Sequence, residues 1–241
     1  MAGTLLEVDG LTKRFGGFTA LHRVSLSVRA GERFGLIGPN GSGKTTLINC
    51  VSGALAADGG RILFEGRDIT TLAAHRRTRL GIVRSFQIPK PFTSMTVREN
   101  LGIPLEYAAH ARSQAGDADA EAAEILRTIG LEAKAHLRPA ELTQIEMRKL
   151  ELARAMAARP TLLISDEAMA GLSSVEVDDI LALLFRLNEQ GITIVMIEHI
   201  MRAVMRFSER VVVLDAGERI AEGTPAEIVR NPAVEKAYLG E

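Results

Sequence analysis

The sequence predicts an α/β fold: a mainly parallel sheet carrying a phosphate site, with an antiparallel β lobe and a helical subdomain attached. Three observations predict it. Gly38-Pro39-Asn40-Gly41-Ser42-Gly43-Lys44-Thr45 has glycine, four free positions and then Gly-Lys-Thr, set between the apolar run Phe34-Gly35-Leu36-Ile37 and the helix-like Thr46-Leu47-Ile48-Asn49-Cys50-Val51. Runs such as Leu162-Leu163-Ile164 and Ile192 to Ile197 are far shorter than a membrane span and read as buried parallel strands. Between Leu5 and Val28, short apolar segments with Val24, Leu26 and Val28 alternating against Ser25, Ser27 and Arg29 suggest antiparallel strands.

A chain of 241 residues suffices for one large α/β domain with a sizeable core. We read it as a single domain, in which 1–30 and 60–72 contribute the β lobe, 96–158 the helical subdomain, and 31–58, 80–90 and 160–241 mainly the core. The formal charge is -1, from 29 basic and 30 acidic residues, which gives no electrostatic reason to expect a nucleic-acid partner. The N-terminus lacks the basic region and long apolar core of a secretory signal, so the chain is expected to stay in the cytoplasm. The lone Cys50 cannot form an intrachain disulfide and reads as a small buried hydrophobe.

Glycines in the 38–45 stretch let the backbone turn tightly and bring its N–H groups against phosphate oxygens. Lys44 adds a point charge, Thr45 a hydroxyl for Mg²⁺, and the following helix turns its N-terminus to the anion, so this is read as the nucleotide site. Upstream, Asp9-Gly10 and Gly16-Gly17 break the apolar segments. Phe15, beside the paired glycines, either offers its face to a nucleobase or packs in the lobe. Arg61 to Phe64 forms another strand, turning at Glu65-Gly66-Arg67-Asp68. The basic run His75-Arg76-Arg77-Thr78-Arg79 reads as a solvated helix face. Gly81 to Phe86 returns as a strand and delivers Gln87 into Ile88-Pro89-Lys90-Pro91-Phe92, whose prolines forbid an immediate helix. Alone, Gln87 is a polar exit residue.

Residues Thr96 to Arg138 read as mostly helical, with weak turn signals at Gly102-Ile103-Pro104 and around Ser113 to Asp117; Ser113 to Asp119 is the most mobile-looking stretch. Leu142-Thr143-Gln144-Ile145-Glu146 opens a helix that stops at Arg159-Pro160, with Thr143 and Glu146 spaced as a capping box. Thr161 to Ser165 is a buried strand ending in Asp166-Glu167. Two adjacent carboxylates crowded at the end of an apolar strand call for a cation or a reacting water. Gly171-Leu172-Ser173-Ser174 leads into a helix, with Ser173 and Glu176 a second capping box. The strand Ile192 to Ile197 ends in Glu198-His199, where the histidine is either a satisfied strand-end residue or a catalytic one. The helix after it turns Met201, Val204, Met205 and Phe207 to the core. Arg210 to Asp215, the turn Ala216-Gly217 and Arg219 to Glu222 complete a hairpin. Thr224-Pro225-Ala226-Glu227 starts a short helix, and Pro232 to Glu241 forms one more.

In order along the chain, these elements are a phosphate loop, a strand-end glutamine, a capped helix, a strand-end Asp-Glu, a serine-containing turn and a strand-end histidine. That order resembles the ATP-binding subunits of ABC transporters over essentially the whole chain, and implies a P-loop NTPase fold. Gly38 to Thr45 matches Walker A, Gln87 the Q-loop, Leu162 to Asp166 with Glu167 Walker B and the catalytic glutamate, Gly171 to Ser174 the D-loop, and His199 the switch histidine. Phe15 falls at the adenine-stacking position. Arg14-Phe15-Gly16-Gly17, Arg84-Ser85-Phe86-Gln87, Ala170-Gly171-Leu172 and Ala237-Tyr238-Leu239-Gly240-Glu241 resemble the branched-chain amino acid uptake subfamily.

The resemblance implies an ATPase with ATP and Mg²⁺ as cofactors. Phe15, Gly38, Asn40, Gly41, Ser42, Gly43, Lys44, Thr45 and Thr46 would bind ATP, while Thr45, Gln87 and Asp166 would serve the metal. Glu167 would act as general base, with Gln87 and His199 assisting. It also implies two transmembrane permease subunits, a second ABC ATPase subunit, an indirect solute-binding protein, no nucleic acid, and a peripheral place on the cytoplasmic face of the inner membrane. One departure stands out. The family signature Leu-Ser-Gly-Gly-Gln, read in trans by the γ-phosphate, is here Leu142-Thr143-Gln144-Ile145-Glu146, without either glycine. Thr143, Gln144, Ile145 and Glu146 would then make a weak docking surface, which favours a heterodimer over a homodimer. Ala168 also replaces the family's usual proline.

Two other functions fit parts of the chain. A soluble ATP-gated clamp on DNA or ribosomes usually carries two cassettes or a long coiled-coil insertion, and here there is one phosphate loop and a short helical section. A small-molecule kinase would leave Gln87 and His199 unexplained.

Overall fold

The computed structural model describes residues 3–85, 89–112 and 117–239. Strands β1 (Thr4–Phe15) and β2 (Phe18–Arg29) form a long antiparallel hairpin. They join β4 (Gly59–Phe64) and β5 (Arg67–Asp68) in a four-stranded sheet of order β2-β1-β4-β5. A second sheet of six strands has the order β10-β9-β3-β8-β7-β6. Its members β3 (Arg33–Ile37), β6 (Ile82–Ser85), β7 (Leu162–Asp166), β8 (Thr193–Ile197) and β9 (Arg210–Asp215) run parallel. At its edge β10 (Glu218–Gly223) returns antiparallel to β9.

The central sheet is covered on both faces, which is why its strands read as unbroken apolar runs. Side chains alternate along each strand. Leu162 and Ile164, Val195 and Ile197, and Val212 and Leu214 face a core shared with the β lobe and α1 (Lys44–Ser52). Leu163, Ile194, Met196, Val211 and Val213 face the opposite core, with α3 (Glu99–Arg112), α4 (Ala118–Ile129), α5 (Gln144–Ala157), α6 (Ser174–Glu189) and α7 (Met201–Phe207). The chain also forms α2 (Ala74–Leu80) and closes with α8 (Pro225–Val229) and α9 (Pro232–Leu239). Both expected capping boxes, at Thr143/Glu146 and Ser173/Glu176, are formed, and the structure adds another at Thr224/Glu227.

Three expectations are corrected. Asp9-Gly10 does not break the first strand: β1 runs through it, and the register shifts between Val8 and Leu11, where Gly10 takes φ +58 as a bulge. The turn signal at Gly102-Ile103-Pro104 is not realised either. Pro104 lies inside α3, because Leu101 and Leu105 on its two sides are buried in the core, and that burial outweighs the missing N–H. In the stretch expected to be mobile, residues 113–116 lie outside the described residues, but Asp117 is an N-cap whose side chain accepts from the N–H groups of Asp119 and Ala120.

The third correction concerns the basic run. Arg77, on α2, is buried rather than solvated, with 2% of its surface exposed. Its guanidinium donates to the carbonyls of Leu72 (2.8 Å), Cys50 (2.6 Å), Val51 (2.8 Å) and Thr70 (2.8 Å). Two of those carbonyls belong to the last turn of α1, where helix C-termini present unpaired oxygens and partial negative charge. A cation inside the molecule is thus the C-terminal cap of the helix that follows the phosphate loop.

Candidate functional site

The phosphate loop lies at the carboxyl end of β3, where parallel sheets expose ligand sites. It borders a cleft of about 300 Å³ lined by Phe15, Phe18 and Ala20 of the β lobe, by residues 40–46, and by Glu167 and His199. A larger hollow of about 770 Å³ lies at the opposite ends of the strands and is bordered by Glu32 and Arg210, whose charges are already paired with each other. The chemistry therefore belongs to the smaller cleft.

Two glycines are dictated by contact. A Cβ on Gly38 would sit 2.1 Å from the Leu214 carbonyl oxygen, and one on Gly43, at φ +101, 2.8 Å from that of Ala20. Gly217 is held likewise, 2.7 Å from the Ala20 oxygen. Its N–H donates to the Ser42 carbonyl (3.1 Å) and its carbonyl accepts from the His22 N–H (2.9 Å). The β9–β10 turn therefore clips the phosphate loop to the β lobe, a role invisible in sequence because Ala216-Gly217 reads as an ordinary hairpin turn.

Lys44 is nearly buried, and its ammonium donates to the carbonyls of Gly38 (2.7 Å) and Pro39 (2.9 Å) and to Ser42 Oγ (3.3 Å). Burial holds it below the ordinary lysine range, while the charges of Glu167 and Asp166 pull it back up. The ammonium is thus turned into its own loop while still feeling the charge of the two acids. Thr45 is exposed and Thr46 half-buried at the first turn of α1, whose leading N–H groups have no helical acceptor.

Asp166 ends β7 almost fully buried, and Glu167 follows in the left-handed region at φ 49. A non-glycine residue there is strained, and the strain is offset by an N–H bond to the Ile197 carbonyl (2.8 Å). That turn brings Glu167 Oε1 within 2.7 Å of His199 Nε2. Two residues 32 positions apart thereby form one pair facing the cleft. Gln87 lies outside the described residues. In the loop after it, the Phe92 N–H donates to the side chain of the fully buried Asn100 on α3 (2.8 Å), which in turn donates to the Phe92 carbonyl (3.1 Å), and Arg154 stacks 5.1 Å from the Phe92 ring centroid.

Phe15 and Phe18 are paired across the β1–β2 turn and are 51% and 64% exposed, so neither is lobe core. Lys13 Nζ lies 5.6 Å from the Phe15 centroid. An aromatic surface beside the phosphate loop can take a base by stacking. Phe18 was not anticipated; its place immediately after the Gly16-Gly17 turn is the signal that could have found it.

Thr143 to Glu146 lie apart from this cleft lining. Thr143 caps α5, and Glu146 accepts from the Thr143 N–H (2.9 Å) and pairs with Lys134 (2.6 Å), contacts that hold its carboxyl below the usual range. The Glu146 charge is therefore partnered rather than free to repel an anion. Gln144 packs against Gly171, since a Cβ there would meet its Nε2 at 2.8 Å.

Glu198, beside His199, is a carboxyl that sequence reading passed over. It is 2% exposed and accepts from the Met169 N–H (2.9 Å), while Arg148 donates to the Ala170 carbonyl (3.2 Å), so the turn after Glu167 is gripped from two sides. Burial pushes the Glu198 carboxyl up to about 7, reinforced by Glu167 and Asp166 and opposed by the Met169 N–H and Arg148. A raised native value means that the folded state holds its proton where the unfolded chain has lost it. This group's contribution is complete below the unfolded value of 4.5 and is lost as pH rises through about 7. Urea unfolding should show Glu198→Gln gaining about 3 kcal/mol relative to wild type between pH 4.5 and 8. A pH-independent difference would refute it.

Does the donor set suit Mg²⁺? The Thr45 hydroxyl and the Asp166 carboxylate are hard oxygen donors, and Mg²⁺ keeps most of its waters and needs few protein ligands. Both Arg84 bonds to Asp166 converge on Oδ2, and Oδ1 accepts no hydrogen bond among the described residues. The residues fit.

Comparison with known proteins agrees with this geometry. The family described as "ABC transporter" matches residues 21–170, and "Branched-chain amino acid ATP-binding cassette transporter" matches residues 218–241. The chain is 40% identical to the high-affinity branched-chain amino acid transport ATP-binding protein BraF of Pseudomonas aeruginosa, with 100% of both chains covered. It is 39% identical to the protein LivG of the same description from Escherichia coli K12, again with 100% of both covered. Among solved structures, the ADP conformation of an ATP-binding cassette of an ABC transporter superposes with a TM-score of 0.89 at 35% identity, covering 99% of each chain.

Proposed function

The chain belongs to the ABC transporter family, and on that premise we propose that it is the ATP-hydrolysing subunit of an importer for branched-chain amino acids. The observation that carries the chemistry is the Glu167–His199 pair facing the phosphate loop across one cleft. The solute rests on the full-length likeness to BraF and LivG and on the match over residues 218–241.

ATP would lie with its base on Phe15 and its phosphates against the N–H groups of residues 40–46, with Lys44 leaving the loop carbonyls for the β- and γ-phosphates. Thr45 and, through water, Asp166 would hold Mg²⁺, which supplies positive charge beside those phosphates when bound. Glu167 would orient the attacking water and accept its proton, and His199 would steady the γ-phosphate as charge builds. Gln87, by its place after β6, would report nucleotide state to the membrane subunits.

Among the described residues no helix is long and apolar enough to cross a membrane. We assign the path to two permease subunits, with this chain on their cytoplasmic face and a solute-binding protein engaged indirectly. The second cassette is a different chain: Ile145 adds bulk and no conformational freedom where the family pattern has glycine, so a normal signature must come from the partner. Tagged full-length chain, recovered from detergent-solubilised membranes, should bring two permease proteins and a second cassette. Recovery with ribosomes or DNA instead would overturn the transport reading in favour of a soluble clamp.

A further inference from the structure

We propose that Arg84 is a positioning residue that ties together the two protein arms of the Mg²⁺ site. The inference rests on the ATPase reading above and adds a residue to it. Arg84 lies on β6, beside β7 in parallel register, opposite Ile164. Its guanidinium donates through Nε to Asp166 Oδ2 (3.1 Å), and a second N–H reaches the same oxygen. The remaining arm donates to Asn49 Oδ1 (2.6 Å). Asn49 is four residues after Thr45 on α1, so the two share one helix face.

Arg84 therefore grips the strand carrying one proposed metal partner and the helix carrying the other. The planar fork suits this, because its N–H groups have fixed mutual directions that an ammonium lacks. With Oδ2 engaged from the β6 side, the carboxylate cannot rotate freely and Oδ1 is left for a metal-bound water. The side chains of Arg84 and Asp166 are only 13% and 8% exposed, so solvent would not replace the contact if it were lost. A simple charge-satisfying ion pair would need Asp166 alone. The third bond, to Asn49, is what joins the pair to the Thr45 helix.

The test is the affinity of the full chain for a non-hydrolysable ATP analogue, measured by calorimetry with Mg²⁺ and with EDTA, the ratio being the gain due to metal. Arg84→Met should reduce that ratio about tenfold, as for other groups that orient metal-site ligands, with the EDTA affinity within about twofold of wild type. Arg84→Lys, which keeps the charge and loses the fork, should fall between, and Asn49→Ala should lose a smaller part. An unchanged or larger ratio in folded Arg84→Met would overturn the proposal, as would a loss confined to the EDTA affinity. If Arg84→Met does not fold, the Arg84→Lys ratio decides: a wild-type value overturns the proposal. Failure of the wild-type chain to bind the analogue would instead defeat the ATPase reading itself.

Discussion

Glu167→Gln leaves ATP affinity near wild type and lowers turnover of the assembled transporter about 10²–10⁴-fold, the range for loss of a general base. The amide keeps the size and a hydrogen-bonding oxygen for His199, which now lies 2.7 Å from the carboxylate, so the cleft keeps its shape. What it loses is the capacity to accept a proton from the attacking water. Nucleotide binding should be untouched, because on the proposed reading the loop, Lys44 and the first turn of α1 supply it, whereas Glu167 lines the cleft from outside the loop. The same experiment reads the proposed asymmetry. On the proposed heterodimer, the site built on this chain's phosphate loop would be closed by the partner's signature, so Glu167→Gln should remove most turnover, and the matching change in the partner, whose site would face Thr143 to Glu146, should remove much less. Steady-state hydrolysis by the assembled complex with purified variants checks both. Near-normal turnover in Glu167→Gln would sink the general-base assignment, and equal losses from the two variants would sink the asymmetry.

The second large effect falls on stability. Arg77→Met should destabilise the chain by about 4 kcal/mol, since hydrogen bonds to a charged group contribute about 1.5–3 kcal/mol each and several buried carbonyls would lose their donor together. Methionine fills much of the volume, so the loss reports the guanidinium rather than a cavity. The carbonyls of Cys50, Val51, Leu72 and Thr70 would be left facing one another around an apolar group. Arg77→Lys should recover only part, because one ammonium cannot span four acceptors. Urea unfolding at constant m-value measures it, and a change below about 1 kcal/mol would show that the carbonyls find other partners. Because α1 also carries Lys44, Thr45 and Thr46, the nucleotide affinity of Arg77→Met should weaken before the chain unfolds.

Much of the site was legible because its parts are local. The phosphate loop announces itself within eight residues, Asp166-Glu167 by two acids ending an apolar strand, and the capping boxes by a three-residue spacing. Each is a backbone or side-chain demand met inside one short segment. Where the reading failed, the deciding partner was distant in sequence. The basic run containing Arg77 looks like any solvated face until α1 is laid beside α2. Gly102-Ile103-Pro104 looks like a turn until the burial of Leu101 and Leu105 is counted, and Asp9-Gly10 like a break until β2 and β4 pin the strand on both sides.

The sequence by itself determined the order of strands and helices, the two-faced burial of the central strands, the phosphate loop and the strand-end acids, since periodicity and short-range chemistry suffice for these. Only the tertiary structure decided which polar groups are inside and whom they serve: the Arg77 guanidinium under α1, Arg84 between Asp166 and Asn49, Glu198 beneath the turn after Glu167, and the Gly217 backbone clipping the phosphate loop to the β lobe. The physical reason is common to all four. A buried polar group is tolerable only with its partners in place, and those partners come from chain segments that sequence spacing does not relate.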